Sequence, residues 1–386
     1  MPWKASTPVD LRLELMNRLA TGETAVDLAH EYGVSRKTIE KFKKRYKQQG
    51  IAGLYDQPRA PKVIPHKTPP ELVDVILEAR KLHPSWGPKK LKHVLERQLE
   101  RELPAPSTIG DILERAGLVV ARHPRRRFPP APTGLREVAA PNQVWCIDYK
   151  GQFQLGDKSY CYPLTITDQF SRFITCCEAM AAISDEQARD VCQDVFREYG
   201  LPETMRSDNG VPFACNGLAG LTKLSAFWLR LGIKLERIRP GHPEQNGRHE
   251  RMHRTLKQDT TRPAAANLLQ QGERCETFRD EFNTVRPHEA LAMKTPAEVY
   301  VASSRSYPER LPELVYPTHD EVLLVGKTGM LHLPRRHTLY LSSALAGQLV
   351  GLRECEDGRW LVSFMHLDLG HIHHATKQFF PIVPTP

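Results

Sequence analysis

The sequence predicts a multidomain chain with N-terminal all-α helix-turn-helix units, a central α/β core with a mixed sheet, and a small C-terminal β-barrel. Three observations lead there. Residues 9–120 carry apolar side chains at helical spacing, interrupted by short polar, Gly or Pro turns. After Asn142, strand-like runs alternate with amphipathic helices, and after residue 318 only short strand patterns and turns remain. A length of 386 residues, at roughly 100–200 residues per domain, corresponds to several domains rather than one core.

Two helical patterns fill residues 9–31, split by Thr21-Gly22-Glu23, and a third runs from Ser35 to about Gln49. Ser35 is a good N-cap. Ile39, Phe42 and Tyr46 form an apolar stripe that leaves Arg36, Lys37, Lys41, Lys44 and Arg45 largely outside it. Small Ala29, the Gly33 turn and the Ser-capped basic helix fit a helix-turn-helix, whose second helix enters the major groove. A three-helix bundle with a solvated basic face is the plainer alternative. Residues 53–67, with prolines at 58, 61 and 65, look like a linker. A second helical unit covers about 69–120, with Pro88 and Pro106 at helix starts. Residues 123–133 are Pro- and Arg-rich, a semi-rigid tether on which Arg125, Arg126 and Arg127 can track phosphates.

Charge is unevenly placed. Residues 1–140 hold 26 Lys+Arg against 16 Asp+Glu, whereas residues 141–386 hold 28 against 29, so the whole net charge of +9 comes from the first third. A basic arm on a neutral body suits a polyanion-binding module joined to something else. The eight cysteines contain no Cys-x-x-Cys pair and lie mostly in apolar surroundings, which predicts reduced thiols in a cytoplasmic protein, with neither a disulfide framework nor a zinc cluster. No run approaches the ~18 apolar residues of a membrane span, and the first residues lack an apolar signal core, so membrane and secreted locations are not expected.

In the core, Val144–Phe153, Tyr160–Asp168 and Phe173–Ala179 predict a three-stranded meander. Ser184 with Gln187 predicts a capped helix bearing Ala188, Val191, Cys192, Val195, Phe196 and Tyr199 on one face. A strand at Glu203–Ser207, a helix at Leu218–Leu231, a strand at Lys234–Arg239 and two further helices follow. Strands at Glu321–Val325, Met330–Leu333, His337–Leu341, Leu349–Arg353, Trp360–Met365 and Phe379–Val383 suggest the small barrel or a sandwich.

Three carboxylates stand out. Asp148 falls inside the first strand, where burying it is costly unless it meets a cation. Asp208 ends a strand at Ser207-Asp208-Asn209-Gly210. Glu250 lies in the first turn of a helix beginning near Asn246. At 100° per residue, Glu250, His253, Arg254 and Lys257 are expected on one face, with Met252 and Leu256 on the other. Converging carboxylates suit hard divalent cations, two of which ~3.5–4 Å apart can serve phosphodiester chemistry. The plain alternatives are a turn at Asp208-Asn-Gly and a surface pair of Glu250 with Arg254.

These motifs resemble a known group. Trp145-x-x-Asp148, Ser207-Asp208-Asn209-Gly210-x-x-Phe213 and Arg239-Pro-x-x-Pro243-x-x-Asn246-Gly247-x-x-Glu250-Arg251 look like the signature of DDE insertion-sequence transposases of the retroviral-integrase superfamily. Asn283-x-x-Arg286-Pro287-His288-x-x-Leu291 and Thr295-Pro296-Ala297 resemble the segment after that group's core, as Gly53-Leu54-x-Asp56-x-x-Arg59 resembles the one after its helix-turn-helix. The resemblance covers about residues 8–300; the barrel-like tail is similar to some members more loosely. It implies an RNase H-like core, Mg²⁺ or Mn²⁺ with two ions per active site, and multimers, at least a dimer, that synapse two transposon ends. Asp148, Asp208 and Glu250 are then the catalytic and metal-binding residues. Arg36, Lys37, Lys41, Arg125, Arg126, Arg127, Arg251, Arg254 and Lys257 are the DNA-binding ones.

Two glutamates compete for the third position. Glu244 follows Asp208 after 35 residues (209–243), the spacing commonly quoted for the group, and Glu250 after 41 (209–249). Glu250 is preferred because it follows Asn246-Gly247 on the helix, with the extra length assigned to an insertion around Ala214–Gly220. Asp168, in Asp-x-x-Ser-Arg, fits a hairpin turn, and strand alternation explains most of His366, His371, His373 and His374. The expected domains are 1–60 (helix-turn-helix), 67–121 (second helical DNA-binding unit), 122–140 (basic Pro-rich linker), 141–300 (catalytic core) and 318–386 (β-barrel). The function expected from the resemblance is transposition on double-stranded DNA, in the bacterial cytoplasm at the nucleoid. A DNA-binding regulator that has lost catalysis and a plain Mg²⁺-dependent nuclease are the alternatives.

Overall fold

The computed structural model describes residues 7–57, 67–119, 134–333, 337–355 and 358–382. The tether arginines Arg125, Arg126 and Arg127 and most of the first linker lie outside them. The chain divides into two compact units, Met1–Thr68 and Pro69–Pro386. Among the described residues, no helix is long and apolar enough to cross a membrane.

The first unit is built of α1 (Pro8–Ala20), α2 (Ala25–Glu31) and α3 (Arg36–Gln49). Each starts on a side-chain cap: Thr7, Thr24 and Ser35 accept from the backbone N–H three residues on. Leu15, Met16, Leu28, Ile39 and Leu54 form its core. The 3₁₀ turn Gly50–Leu54 folds back onto α3 so closely that a Cβ on Gly53 would lie 2.5 Å from the carbonyl oxygen of Arg45. Only glycine fits there. Arg36, Lys37 and Lys41 are exposed along α3.

The second unit opens with three more helices, α4 (Pro70–Leu82), α5 (Pro88–Leu99) and α6 (Pro106–Arg115), packed around Ile76, Trp86, Leu91, Ile109 and Leu113. They dock on the α/β core through polar contacts. His83 Nδ1 meets Glu281 at 2.8 Å, Arg286 Nη1 donates to Ser85 Oγ at 2.9 Å, and Lys89 pairs with Glu289 at 3.1 Å.

The core sheet comprises β1 (Val144–Tyr149), β2 (Phe153–Gln154), β3 (Tyr160–Asp168), β4 (Ile174–Met180), β5 (Thr204–Ser207) and β6 (Lys234–Arg237). β3 pairs antiparallel with β1, β2 and β4, while β5 runs parallel to β1, and β6 to β5. The sheet is therefore mixed. Successive side chains on a strand face opposite ways, and Cys176 and Cys177 on β4 lie in different clusters. On one face Trp145, Ile147, Leu164 and Ile166 pack against α7 (Asp185–Tyr199) and α8 (Lys223–Arg230). On the other, Ile174 and Cys177 meet α9 (Gly247–Thr260) and α10 (Leu268–Thr284). The helix expected over Leu218–Leu231 is broken, because Ala219 takes a left-handed conformation (φ 49°) and Thr222 caps a new start. The first strand likewise divides into β1 and β2.

The tail contains β7 (Glu321–Leu324), β8 (Met330–Leu333), β9 (His337–Tyr340), β10 (Leu349–Cys355), β11 (Arg359–Phe364), β12 (Leu367–His373) and β13 (Phe379–Pro381). It forms a five-stranded antiparallel sheet, β13-β12-β11-β10-β7, beside the β8–β9 hairpin. Among the described residues the sheet does not close into the expected barrel. Its apolar face packs on Leu221, Ala226 and Leu229 beside and on α8. Strand β12 carries the alternation expected of His371 and His373, outside the six strand ranges expected for the tail. Its Gly370 lies under the ring of Phe379 and would leave no room for a Cβ, so the neighbouring aromatic supplies the cover that the glycine lacks.

One buried ion pair ties β5 to β6. Arg206, whose side chain is 3% exposed, donates from Nε to Glu236 at 2.7 Å. Arg206→Met should cost about 3 kcal/mol by leaving Glu236 with only the Arg136 N–H and no cation, and adding Glu236→Leu should restore most of the loss. Urea midpoints of the two variants check this.

Candidate metal centre

β1 and β5 are parallel neighbours with Cys146 level with Arg206. Two residues further along each strand come Asp148 and, just past the strand end, Asp208. Both carboxylates therefore leave the sheet at its carboxyl edge, where open α/β sheets present their binding groups. The loop after β5 is held by its own side chains: Asn209 Nδ2 donates to Ile238 O at 2.6 Å, and Gly210 N donates to Asp208 Oδ1 at 3.1 Å. Glu250 arrives from α9, in its first turn, and is exposed.

The three carboxylates act on one another. Burial raises the Asp148 pKa to about 7, and the negative charges of Asp208 and Glu250 add to that rise. Among the described residues, neither lysine nor arginine forms a salt bridge with any of the three. Glu244 lies elsewhere: it is exposed on the 3₁₀ turn Pro243–Asn246 and accepts from His242 at 2.7 Å. Asp168 ends β3 and is consumed structurally, accepting from Asn142 N, Ser171 N and Ser171 Oγ at 2.6–2.8 Å.

The residues that seat α9 were not expected from the sequence. His253 does not share the solvent face with Arg254 and Lys257; it is buried at 2% exposure, as is His249 at 1%. These two residues, one helical turn apart, meet two threonines at i and i+2 on β3. Thr165 Oγ1 lies 2.8 Å from His249 Nε2 and 2.7 Å from His253 Nε2, and Thr167 Oγ1 lies 2.8 Å from His249 Nδ1. Thr165 also donates to the carbonyl of Asp148 at 3.1 Å, and Thr165 is the register partner of Asp148 across the ladder. With that proton committed, both Nε2 atoms carry hydrogens and donate to Thr165, and Thr167 donates to His249 Nδ1. His253 Nδ1 then faces Asp148 Oδ2 at 3.7 Å with its lone pair. Burial holds both imidazoles neutral, that of His249 with a pKa lowered to about 3. Asp148, His249 and His253 each present a ligand atom within 4.8 Å of the others. The sequence signal is the pairing of a histidine i, i+4 repeat with a Thr-x-Thr strand.

Integrase core domain models match residues 138–243 and 231–296, a helix-turn-helix domain model matches 11–62, and a homeodomain-like domain model matches 38–113. The Gag-Pol polyprotein of baboon endogenous virus (strain M7) is 27% identical over 177 residues, 46% of this chain and 10% of that polyprotein. That of avian reticuloendotheliosis virus is 30% identical over 120 residues, 31% of this chain and 10% of that polyprotein. The chain thus spans about a tenth of the length of these relatives. Among solved structures, the HTLV-2 integrase catalytic core domain in complex with magnesium is similar at 16% identity and a TM-score of 0.33, over 42% of this chain and 97% of that one. The simian T-cell lymphotropic virus intasome in complex with PP2A regulatory subunit B56 gamma is similar at 14% identity and a TM-score of 0.38, over 79% and 95%. The chain is thus similar to integrase cores over residues 138–296 and to helix-turn-helix and homeodomain-like domains within residues 11–113, a combination consistent with the DDE transposase/integrase superfamily.

The raised Asp148 pKa has a sign that can be measured. Its ionised form is disfavoured in the folded chain, so the penalty is present above pH 7 and relieved as pH falls through 7 toward the unfolded value near 3.8. With divalent cations chelated away, Asp148→Asn should therefore stabilise the protein by about 1–2 kcal/mol at pH 8. The gain should shrink below pH 7. Thermal melts across pH 5–8 follow both effects.

Proposed function

We propose that this chain is a DNA transposase of an insertion sequence. It binds the terminal inverted repeats, hydrolyses the phosphodiester at each end of the element, and joins the freed 3′-OH to target DNA. The observation that carries this reading is that Asp208 and Glu250, acids from two other elements, add their negative charges to the burial that raises the Asp148 pKa. Packing like charges together is unfavourable for a fold and useful for holding cations.

The donor set fits hard divalent cations: it is all carboxylate oxygen, and among the described residues no lysine or arginine forms a salt bridge with it, the charge of Lys150 offsetting only part of the rise at Asp148. Asp148, Asp208 and Glu250 would hold two Mg²⁺ ions, or Mn²⁺ in their place. When bound, such ions supply the positive charge that activates the attacking oxygen and stabilises the leaving one. In the first reaction a water oxygen bonds to phosphorus and the bond to the 3′ oxygen breaks, leaving a 3′-OH and a 5′-phosphate. In the second that 3′-OH takes the place of a target 3′ oxygen, exchanging one phosphodiester for another. Neither step needs a covalent enzyme intermediate, and no Ser or Tyr nucleophile is assigned.

The remaining residues position DNA. Arg251, Arg254 and Lys257 are exposed on α9, next to Glu250, where they would hold the backbone near the scissile bond. Arg36, Lys37 and Lys41 on α3 would enter the groove of the terminal repeat, with Arg125, Arg126 and Arg127 following the backbone between the domains. Domain limits of 1–60, 67–121, 122–140, 141–300 and 318–386 go with this reading. So do a synaptic homo-oligomer, at least a dimer, and work at the bacterial nucleoid.

Mg²⁺-dependent cleavage and joining on DNA carrying the gene's own flanking ends tests the proposal. Glu250→Gln should reduce both products at least ~10³-fold, whereas Glu244→Gln should leave them near wild type. Wild-type protein that binds those ends without ever cutting them would favour the regulator, and cutting without end preference or joining would favour the nuclease. Separately, Arg254→Gln should weaken duplex binding at all sequences and flatten the plot of log K against log salt by about 0.9. Anisotropy titrations from ~50 to ~200 mM salt read that slope.

A further inference from the structure

A cavity of about 410 Å³ lies on the flank of α9 away from the carboxylates, between the helix, the β3–β4 turn, α5 and the segment after α10. Its size falls within the ~300–1,000 Å³ of small-ligand sites. Lys90, Arg172, Arg248, Arg251, Arg286 and His288 line it. Two acids are also there, and both are already engaged: Asp168 accepts from Ser171 and Asn142, and Glu289 pairs with Lys89 outside the cavity. Arg286 is met by Ser85 and lies 3.7 Å from Asp259, and Arg248 donates to Gln169 O. Lys90, Arg172 and Arg251 form no ion pair among the described residues, and the charges of Glu289 and Asp168 reach Lys90 and Arg172 without outweighing burial and the neighbouring cations.

Two buried nitrogens add to this. Arg172 Nε and the His288 ring nitrogen Nε2 are buried with no hydrogen-bond partner, although buried polar atoms are nearly always paired. The cations also sense one another. Arg248 and Arg251 add to the burial that lowers the Arg172 pKa to about 10, and Lys90, Arg286 and Arg172 add to the burial that holds His288 neutral. A folded chain gains nothing from concentrating unneutralised positive charge in a recess unless an anion completes it.

We propose that this cavity is a phosphate-binding site, separate from the carboxylate centre, which the chain fills with a phosphate group held jointly by Lys90 and Arg172. The guanidinium fork suits two phosphate oxygens at once, and the ammonium adds a point charge from the opposite wall. Lys90 belongs to the helical unit α4–α6, and Arg172 to the core hairpin. One phosphate would therefore clamp these two parts together. If the phosphate is a DNA backbone group, the site deepens the transposase reading and rests on it; if it is a free anion, the site stands without it.

The test uses the full chain with Arg172→Gln and Lys90→Gln. Inorganic phosphate, compared with chloride at equal ionic strength, should raise the melting temperature of wild type and not of either variant if the site takes a free anion. With duplex DNA as the probe, each variant should bind several-fold more weakly and lose about 0.9 from the salt slope if it takes a backbone phosphate. Either result supports the site and identifies the source. Should both variants keep the wild-type phosphate response and the wild-type slope, the proposal falls. If Arg172→Gln does not fold, Lys90→Gln carries the same comparison, since it removes a desolvated cation that makes no hydrogen bond among the described residues. Cleavage at the carboxylate centre is scored independently, so loss of the metal reading and loss of this one are told apart.

Discussion

Helix α9 is fastened to the central sheet by two neutral imidazoles that share one threonine hydroxyl, and the candidate site depends on that contact. His249 and His253 are one turn apart and both buried against β3, while Glu250 comes one residue after the first of them. A helix turns 100° per residue, so fixing those two positions fixes where Glu250 emerges. Thr165, which receives both imidazoles, also holds the backbone carbonyl of Asp148. The same hydroxyl therefore sets the relation between a strand carboxylate and a helix carboxylate. A side chain that could not accept two N–H groups would leave buried donors unpaired, at about 1–3 kcal/mol each.

Within one helical turn the electrostatics reverse. Toward the carboxyl edge of β1 and β5 the chain collects negative charge, and the charges of Asp208 and Glu250 add to the burial that raises the Asp148 pKa. Along the flank of the same helix it collects arginines, with Arg248 and Arg251 close enough to Arg172 to add to the burial that lowers its pKa. Neither arrangement stabilises the fold. Each makes sense as half of an interaction completed by something charged, and the scaffold that tolerates both is the apolar packing on either face of the sheet. Stability surrendered at a site in this way is a common cost of function.

Much of this was legible in the chain. Apolar spacing anticipated the helices within residues 9–49 and 69–120 and α7, because helix periodicity is local, and Ser35 and Ser184 cap α3 and α7 as expected. The three-stranded meander was likewise anticipated, and Asp168 in its turn was legible as a structural acid. Other features were not. Ala219 interrupts an apolar helical pattern by adopting a left-handed conformation that its own residue type does not announce. Strand β12 contains Gly370 and three polar side chains, and it forms because Phe379 of the next strand covers the gap. Its partner is supplied by the fold, so the sequence around it reports the strand only through the alternation of its histidines.

The candidate site divides along the same line. Sequence by itself determined the residue types, the strand-end and helix-start placement of Asp148, Asp208 and Glu250, and the preference for Glu250 over Glu244, since each follows from motifs and local secondary structure. Only tertiary structure decided which side of α9 faces the sheet. A helical wheel groups His253 with Arg254 and Lys257 as readily as with Met252, and the docking of α9 on Thr165 and Thr167 resolves it. The cationic cavity is likewise invisible in the chain, because Lys90, Arg172 and Arg286 are far apart in sequence and meet only where α5 packs against the core. Local order is written in neighbouring residues, whereas burial, shared hydrogen bonds and accumulated charge exist only once distant segments are brought together.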